Sequence, residues 1–193
     1  CIRDSIDDGP IDAWTDEVAV GNGAVGEITV KGDQVTRHYF ENPAADVLSK
    51  IRDTDGVWHR MGDLGRLDED GRIWFYGRKS HRVVTAGGTL FTIPCEAIFN
   101  NHPLVFRSAL VGVGTAPHQK PVICIELESG QGGGNRIKLT RELLDLASSN
   151  ELTRAIDTVL YPEEFPVDIR HNAKIFREKL ALWAAKKITG TRL

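Results

Sequence analysis

The stretch WHRMGDLGRLDEDGRIWFYGRKSHRV, residues 58–83, marks where one kind of local structure ends and another begins. Its Asp-Gly pair at 70–71 separates two strand-like runs, which predicts a β-hairpin over 67–78. After Gly77 and Arg78 the pattern changes, and strand signals begin to alternate with helix signals. We therefore predict two domains, 1–78 and 79–193, joined by a hinge at about 78–81.

The segment before this hinge is rich in strand and turn signals. Residues 18–20 and 27–32 flank Gly21-Asn22-Gly23, which predicts a hairpin, and the DTDG sequence at 53–56 predicts a turn between Ile51 and His59. Several short strands at this spacing are typical of a small β-barrel or β-layer.

The segment after the hinge combines strands and helices. A hairpin is predicted around Gly87, followed by a short helix that has Pro94 in its first turn. Residues 106–114 and 121–128 form nearly continuous apolar runs, as in a sheet that is covered on both faces. The sequence thus predicts an α+β protein.

Three helices are predicted nearer the C-terminus. Thr140 and Asn150 are candidate N-caps for helices that end at about Ser148 and Leu160. After a short strand at 165–169, an apolar stripe at helical spacing predicts a last helix. The stripe consists of Phe176, Leu180, Trp183 and Ala184.

Composition excludes several classes of function. The 193 residues are 41% hydrophobic and 26% charged, as in ordinary soluble domains, and the net charge of −3 argues against nucleic-acid or polybasic membrane binding. No apolar run approaches the roughly 20 residues that span a bilayer. Cys1, Cys95 and Cys124 have no paired spacing; the last two lie among apolar residues, which indicates core residues in a reducing compartment. No metal motif is present.

The glycine-rich segment 21–26 matches the G-x-G-x-x-G pattern of dinucleotide-binding proteins. That pattern needs a helix after it, whereas Glu27–Val30 continues as strand-like sequence, so we predict a structural turn. The chain begins with Cys1 in a polar stretch that leads at once into strand-like sequence. We expect it to lack an N-terminal portion of a longer protein.

Three polar residues are candidates for ligand binding, and each has a structural alternative. Asp63 could cap a turn or could accept hydrogen bonds from two ribose hydroxyls. Arg78 could form a surface ion pair or contact a ligand from the hinge. Lys174 lies where the last helix is expected to begin, a position that disfavours cations; it could be a solvated residue of the first turn or part of an anion site.

The ordered motifs resemble those of the acyl-adenylate-forming superfamily. They are GEITVKGDQVTRHYFENP at 26–43, the quoted stretch at 58–83, the Gly87 hairpin followed by Glu96, and HNAKIFR at 171–177. The resemblance runs from about Val18 to Arg177. Within the superfamily, WHRMGDL, GRKSHRV and FPVDIRHNAKI resemble the olefin β-lactone synthetases of bacterial long-chain olefin biosynthesis.

This resemblance implies a role for five residues. Asp63 matches the aspartate that holds the ribose hydroxyls, and Arg78 matches the arginine near the ribose. Ser80 occupies the hinge position, and Gly87 matches the glycine that faces the active site in a second, rotated conformation. Lys174 matches the lysine that bridges the carboxylate and the α-phosphate during adenylation.

Four positions depart from the family pattern: Met61 replaces Thr, Ser80 replaces a charged hinge residue, Ala86 replaces a basic residue, and Ala173 replaces Gly before Lys174. The family's phosphate loop and Thr-Glu motif are absent and are expected upstream. By resemblance, 1–78 is then the C-terminal β-rich part of a large N-terminal AMP-binding domain. Residues 79–193 form a mobile, compact C-terminal domain with a short antiparallel or mixed sheet and flanking helices.

The implied activity is ATP-dependent conversion of a β-hydroxy fatty acid to acyl-AMP, which closes to a β-lactone with release of AMP. The implied cofactors are ATP and Mg²⁺, held mainly by upstream residues, without coenzyme A. The expected partners are a fatty acid, the upstream domain and other olefin-biosynthesis enzymes, in the bacterial cytoplasm. Two alternatives stay open: an acyl-CoA or fatty-acyl-AMP ligase, and a non-catalytic module that retains the fold.

Overall fold

The computed structural model describes residues 2–4, 6, 8–130, 134–168, 170 and 174–190. The chain divides into two units, Cys1–Ser80 (the first unit) and His81–Leu193 (the second unit). The division falls after Ser80. That the first unit belongs to a larger AMP-binding domain and that the second unit moves as a body stay predictions.

The first unit is built on an antiparallel sheet of five strands. The strands are β1 (Ile2–Asp4), β2 (Gly26–Val30), β3 (Lys50–Asp53), β4 (Gly56–Leu67) and β5 (Ile73–Arg78), and helix α1 (Pro43–Ser49) precedes β3. The long strand β4 pairs with β2, β3 and β5, so it connects the whole sheet.

Two predicted turns in this unit are confirmed. Strands β3 and β4 pair with Asp53 opposite Gly56, and β4 and β5 pair with Leu67 opposite Ile73. Asp68 closes the second turn, because its side chain accepts hydrogen bonds from the backbone nitrogens of Asp70 and Arg72. Hydrogen bonds to Asp68, first from Trp74 and then from Arg72, lower the pKa of its carboxyl to about 2.

The hairpin predicted for 18–32 is wrong. Residues 16–18 form a turn, and β2 pairs with β1 and β4 instead. The backbone nitrogen of Gly23 donates to the carbonyl oxygen of Leu67, which ties the glycine-rich segment to the end of β4. A strand follows Gly26, as predicted, so the segment lacks the helix that a dinucleotide site requires.

The second unit contains a three-stranded mixed sheet with helices against it. Its first elements are β6 (Val83–Thr85), β7 (Gly88–Leu90), α2 (Thr92–Asn100), β8 (Val105–Val113) and β9 (Lys120–Leu127). They are followed by α3 (Arg136–Ser148), β10 (Val159–Leu160), β11 (Val167–Asp168), β12 (Lys174–Ile175) and α4 (Arg177–Thr189).

The central sheet has the order β10-β9-β8 and is buried on both faces, as the apolar runs predicted. On one face, Leu110 and Ile123 pack with Phe99 of α2 and Leu143 of α3. On the other face lies a second cluster, whose buried members are Ala109, Val111, Val122, Cys124, Phe165, Leu180 and Ala184. Strands β8 and β9 are antiparallel, whereas β10 and β9 are parallel.

Two helix predictions in this unit need correction. Asn135, rather than Thr140, caps α3, because its side chain accepts a hydrogen bond from the backbone nitrogen of Lys138. Thr140 lies inside the helix and bonds Tyr161. The helix predicted from Asn150 to Leu160 is absent: after a short run of turns, β10 extends the sheet instead.

Cys95 and Cys124 are buried core residues, as the sequence predicts. Burial raises the pKa of each thiol to about 12, so neither is an available nucleophile near neutral pH. Cys1 lies outside the described residues. In the part of the chain that the structure describes, no helix is both long enough and apolar enough to cross a membrane.

Candidate functional site

Asp63 and Arg78 face each other on neighbouring strands of the first unit. They are register partners in the β4–β5 ladder, and Nη1 of Arg78 lies 3.2 Å from Oδ1 of Asp63. The same nitrogen donates to the carbonyl oxygen of Met61 at 3.1 Å. The structure therefore brings together two residues that lie fifteen positions apart in sequence.

The position of Asp63 excludes the turn-capping alternative, because the residue lies well inside β4. The side chain of Asp63 is 25% exposed and that of Arg78 is 50% exposed, so the pair lies at the surface of its unit. A carboxylate has several acceptor positions, so Asp63 can accept further hydrogen bonds while Arg78 stays paired. This arrangement fits a pair of vicinal hydroxyl groups; the ribose role itself stays a prediction.

Ser80 lies where the chain leaves the first unit. It is exposed, in a single 3₁₀ turn, Lys79–His81, that follows β5 directly. The last ladder pair on this side is Asp63 with Arg78, so the turn is outside the sheet ladder. This placement is compatible with a pivot, and the hinge role of Ser80 stays a prediction.

Gly87 lies at the exposed tip of the predicted hairpin, which strands β6 and β7 confirm. Its backbone nitrogen donates to Oγ1 of Thr85. A Cβ atom at Gly87 would meet only this oxygen, at 3.8 Å, and its φ is outside the left-handed region, whereas φ of Gly88 is 132°. Within the described part of its unit, the fold therefore needs a glycine at Gly88 rather than at Gly87.

Lys174 lies on strand β12 and not in the first turn of the last helix, so that expectation is corrected. Strand β12 pairs with β11 through Asp168 opposite Lys174 and Val167 opposite Ile175. The side chain of Lys174 is exposed, and it has no ion-pair partner among the residues that the structure describes. Lys174 therefore does not occupy the first turn of a helix, where a cation is disfavoured, since helix α4 begins only at Arg177.

A buried ion pair fixes the start of α4. Nη1 and Nη2 of Arg177 lie 2.6 and 3.0 Å from the two carboxylate oxygens of Glu96 on α2. Glu96 also accepts from the backbone nitrogen of Leu110 at 2.8 Å. Burial raises the pKa of the Glu96 carboxyl, and the neighbouring Arg177 opposes that rise. Lys174 therefore belongs to a strand pair and lies three residues before this anchored arginine.

Asp168 holds the neighbouring cation Arg170. Its carboxylate accepts hydrogen bonds from the backbone nitrogen and from Nε of Arg170, and the Arg170 side chain is largely exposed. His171 and Ala173 lie outside the described residues.

No group of three or more His, Cys, Asp or Glu side chains suited to a metal ion occurs within the described ranges. The roles implied for Asp63, Arg78 and Lys174 in nucleotide binding stay predictions. Sequence analysis did not single out Glu27, Lys79 or Arg177, whose ion pairs adjoin the predicted site residues. All three lie inside the quoted motifs, but nothing in the local sequence indicates their partners.

Comparisons with known proteins show what the chain is similar to. Over 188 residues, 95% of the chain, the sequence is 48% identical to an olefin beta-lactone synthetase from Xanthomonas campestris pv. campestris. Over 189 residues it is 46% identical to an olefin beta-lactone synthetase from Stenotrophomonas maltophilia. Over nearly its whole length the chain is therefore similar to olefin beta-lactone synthetases. It spans about a third (34%) of the length of these relatives, and no protein-family model matches it.

Solved structures share the fold of this chain. An ATP-bound RpMatB-BxBclM chimera has a TM-score of 0.73 at 24% identity, over 92% of this chain and 34% of the other. O-succinylbenzoate coenzyme A synthetase from Bacillus subtilis, in complex with ATP and a magnesium ion, has a TM-score of 0.68 at 23% identity, over 90% and 34%. The predicted α+β fold, the C-terminal portion of these enzymes, is confirmed.

Proposed function

We propose that this chain is the C-terminal part of an ATP-dependent ligase that activates a β-hydroxy fatty acid as acyl-AMP and closes it to a β-lactone. The observation that carries the proposal is the 46–48% identity to two olefin beta-lactone synthetases across 95% of the chain. The paired Asp63 and Arg78 and the exposed Lys174 support it, because each could take the role that the family resemblance implies.

In the first step, a carboxylate oxygen of the fatty acid attacks the α-phosphorus of ATP, and pyrophosphate leaves. Asp63 accepts hydrogen bonds from the ribose hydroxyls, while Arg78 keeps its carboxylate oriented. Because Asp63 keeps acceptor capacity beside Arg78, it can bind both hydroxyls without giving up this ion pair.

Lys174 acts on the charge that develops at the α-phosphate. We expect the second unit to close onto the nucleotide and to bring the Lys174 ammonium to the non-bridging oxygens. An oriented cation in a site that excludes water stabilises such charge in the transition state by about 3–4 kcal/mol. The exposure of Lys174 supports this role, since the side chain remains available for an anion.

In the second step, the β-hydroxyl oxygen attacks the acyl carbon, its proton is lost, and AMP leaves as the lactone ring closes. Both reacting groups belong to one molecule, so neither coenzyme A nor another acceptor is needed. We propose that the second unit rotates about Ser80 between the two steps and presents Gly87. The free exposed tip at Gly87 supports this, because nothing within its described unit requires a glycine there.

The proposal includes partners outside this chain. ATP with Mg²⁺ is the expected nucleotide, with the phosphate-binding loop and the metal ligands in an upstream domain. The β-hydroxy fatty acid is the expected substrate, and other olefin-biosynthesis enzymes are expected to supply it and consume the lactone. We propose that these reactions take place in the bacterial cytoplasm.

Product analysis on the full-length protein tests this function. The enzyme is incubated with ATP, Mg²⁺ and a β-hydroxy fatty acid, with and without coenzyme A, and the products are identified by mass spectrometry. We expect AMP, pyrophosphate and a β-lactone in equal amounts, whether or not coenzyme A is present. An acyl-coenzyme A product instead indicates a coenzyme A ligase, and no ATP consumption indicates a non-catalytic module.

A further inference from the structure

A buried carboxylate, Glu27, accepts hydrogen bonds from three residues of the first unit: Arg60, Gly62 and Lys79. Its side chain is 1% exposed, and its Oε2 accepts from Nη2 of Arg60 at 2.7 Å and from Nζ of Lys79 at 2.7 Å. Its Oε1 accepts from the backbone nitrogen of Gly62 at 3.1 Å. One carboxylate therefore links strands β2 and β4 to the turn that follows β5.

Two of these donors adjoin the residues proposed to bind the nucleotide. Gly62 immediately precedes Asp63, and Lys79 immediately follows Arg78. The Asp63–Arg78 pair ends the β4–β5 ladder on this side, so backbone pairing does not continue to Lys79. The Lys79 side chain thus supplies the restraint to Glu27 at the point where the ladder stops.

The need to neutralise the buried charge of Glu27 does not by itself explain why Lys79 binds it. Arg60 is almost completely buried and donates to Glu27 from two nitrogens, Nε and Nη2, so this one guanidinium can balance the carboxylate. Arg60 also donates to the carbonyl oxygens of Gly9 and Leu48, which anchors it independently of Lys79. Lys79 is 17% exposed and adds a second cation to a carboxylate that is already paired.

We propose that Glu27 and Lys79 are positioning residues: their ion pair keeps Arg78 opposite Asp63 and fixes the chain up to Ser80, where the pivot begins. This inference rests on the proposed function, in which Asp63 and Arg78 bind the ribose. Without the Lys79–Glu27 bond, the turn after Arg78 loses one restraint to the sheet. Arg78 then spends less time opposite Asp63. Ordering the pair on binding costs free energy, which weakens nucleotide affinity.

The test uses Lys79→Met in the full-length enzyme, with pyrophosphate release as the assay. This change leaves Glu27 paired with Arg60, so the fold is expected to persist. We expect the KM for ATP to rise about tenfold, with kcat reduced less than threefold, because a displaced binding group weakens the complex. Lys79→Arg, which restores a cation, should return the KM to within about threefold of the unmodified enzyme.

Lys31→Met is the matched control. Lys31, which directly follows β2, pairs with Asp53 at 2.8 Å and also with Asp55; its side chain is 24% exposed, against 17% for Lys79, and it does not adjoin the Asp63–Arg78 pair. Its removal should leave the KM for ATP within about twofold. A purely structural role for Lys79 would lower the melting temperature of Lys79→Met while its folded fraction kept the original KM.

An unchanged KM for ATP in folded Lys79→Met overturns the inference while leaving the proposed function intact. If Lys79→Met does not accumulate as folded protein, Lys79→Gln replaces it, because its polar side chain is one bond shorter than that of lysine. A raised KM for ATP again supports the inference, and an unchanged KM overturns it. Failure of the unmodified enzyme to release pyrophosphate contradicts the proposed function itself, so the two failures are distinguishable.

Discussion

At the scale of single residues, the Asp63–Arg78 pair shows how a surface ion pair can prepare a binding group. Exposed pairs of this kind contribute about 0–1 kcal/mol to stability, so folding alone gives little reason for it. A ribose hydroxyl bound to the carboxylate, in contrast, makes a charge-assisted hydrogen bond. The pair is therefore expected to matter more for nucleotide affinity than for stability.

Replacing Asp63 by Asn separates these two effects. In the full-length enzyme, Asp63→Asn should raise the KM for ATP at least about tenfold, because hydrogen bonds to a charged group contribute about 1.5–3 kcal/mol. The melting temperature should stay within about 2 °C. Asp70→Asn is the control, since Asp70 forms an exposed ion pair with Arg72 in the same hairpin. An unchanged KM for Asp63→Asn rules out the ribose role.

The residue scale also explains what sequence analysis could find at the site. Asp63, Arg78 and Lys174 were predicted because each belongs to a short motif. The contacts of these residues could not be predicted from local sequence patterns. Arg78 meets Asp63, for example, only because strands β4 and β5 pair. Glu27, Arg60 and Lys79 come together from three separate parts of the chain, and no local spacing connects them.

At the scale of secondary-structure elements, the tight turns were the most predictable features. The turn at 53–56 and the Asp-Gly turn at 70–71 have their signals in adjacent residues, and both hairpins form. The hairpin predicted from residue 18 does not form, because β2 instead pairs with strands distant in sequence, including β4. The helix predicted from Asn150 is replaced by turns and by β10, whose pairing with β9 adds a third strand to the sheet.

The β6–β7 hairpin makes a prediction at this scale. Gly87→Ala should leave the melting temperature within about 1 °C, whereas Gly88→Ala should destabilise the second unit by about 1 kcal/mol, because only Gly88 has a positive φ. In the full-length enzyme, Gly87→Ala should slow lactone closure about tenfold, more than it slows pyrophosphate release.

Pyrophosphate and lactone are measured in the same reaction for each variant, and the stability of each variant is measured by thermal unfolding. Gly88→Ala serves as the control for stability, because its effect arises within the hairpin. An equal effect of Gly87→Ala on both steps, or no effect on either, contradicts the proposed exposure of Gly87 to a second conformation of the active site.

At the scale of the whole molecule, the chain divides after Ser80 into two units, each with its own sheet. The residues proposed for ribose binding lie in the first unit and Lys174 lies in the second. The proposed reaction needs both groups at one nucleotide, and domain closure is one way in which enzymes supply such alignment. In the second unit, strands β8 and β9 were predicted correctly because they are nearly continuous apolar runs, whereas the helix caps were not.

The central claim is that Lys174 stabilises the transition state of adenylation, and one measurement tests it most directly. Pyrophosphate release is compared between the unmodified full-length enzyme, Lys174→Ala and the control Lys186→Ala, which removes an exposed lysine from α4. We predict a rate at least about a hundredfold lower for Lys174→Ala and a nearly unchanged rate for the control. A Lys174→Ala rate within about threefold of the unmodified enzyme would contradict the account.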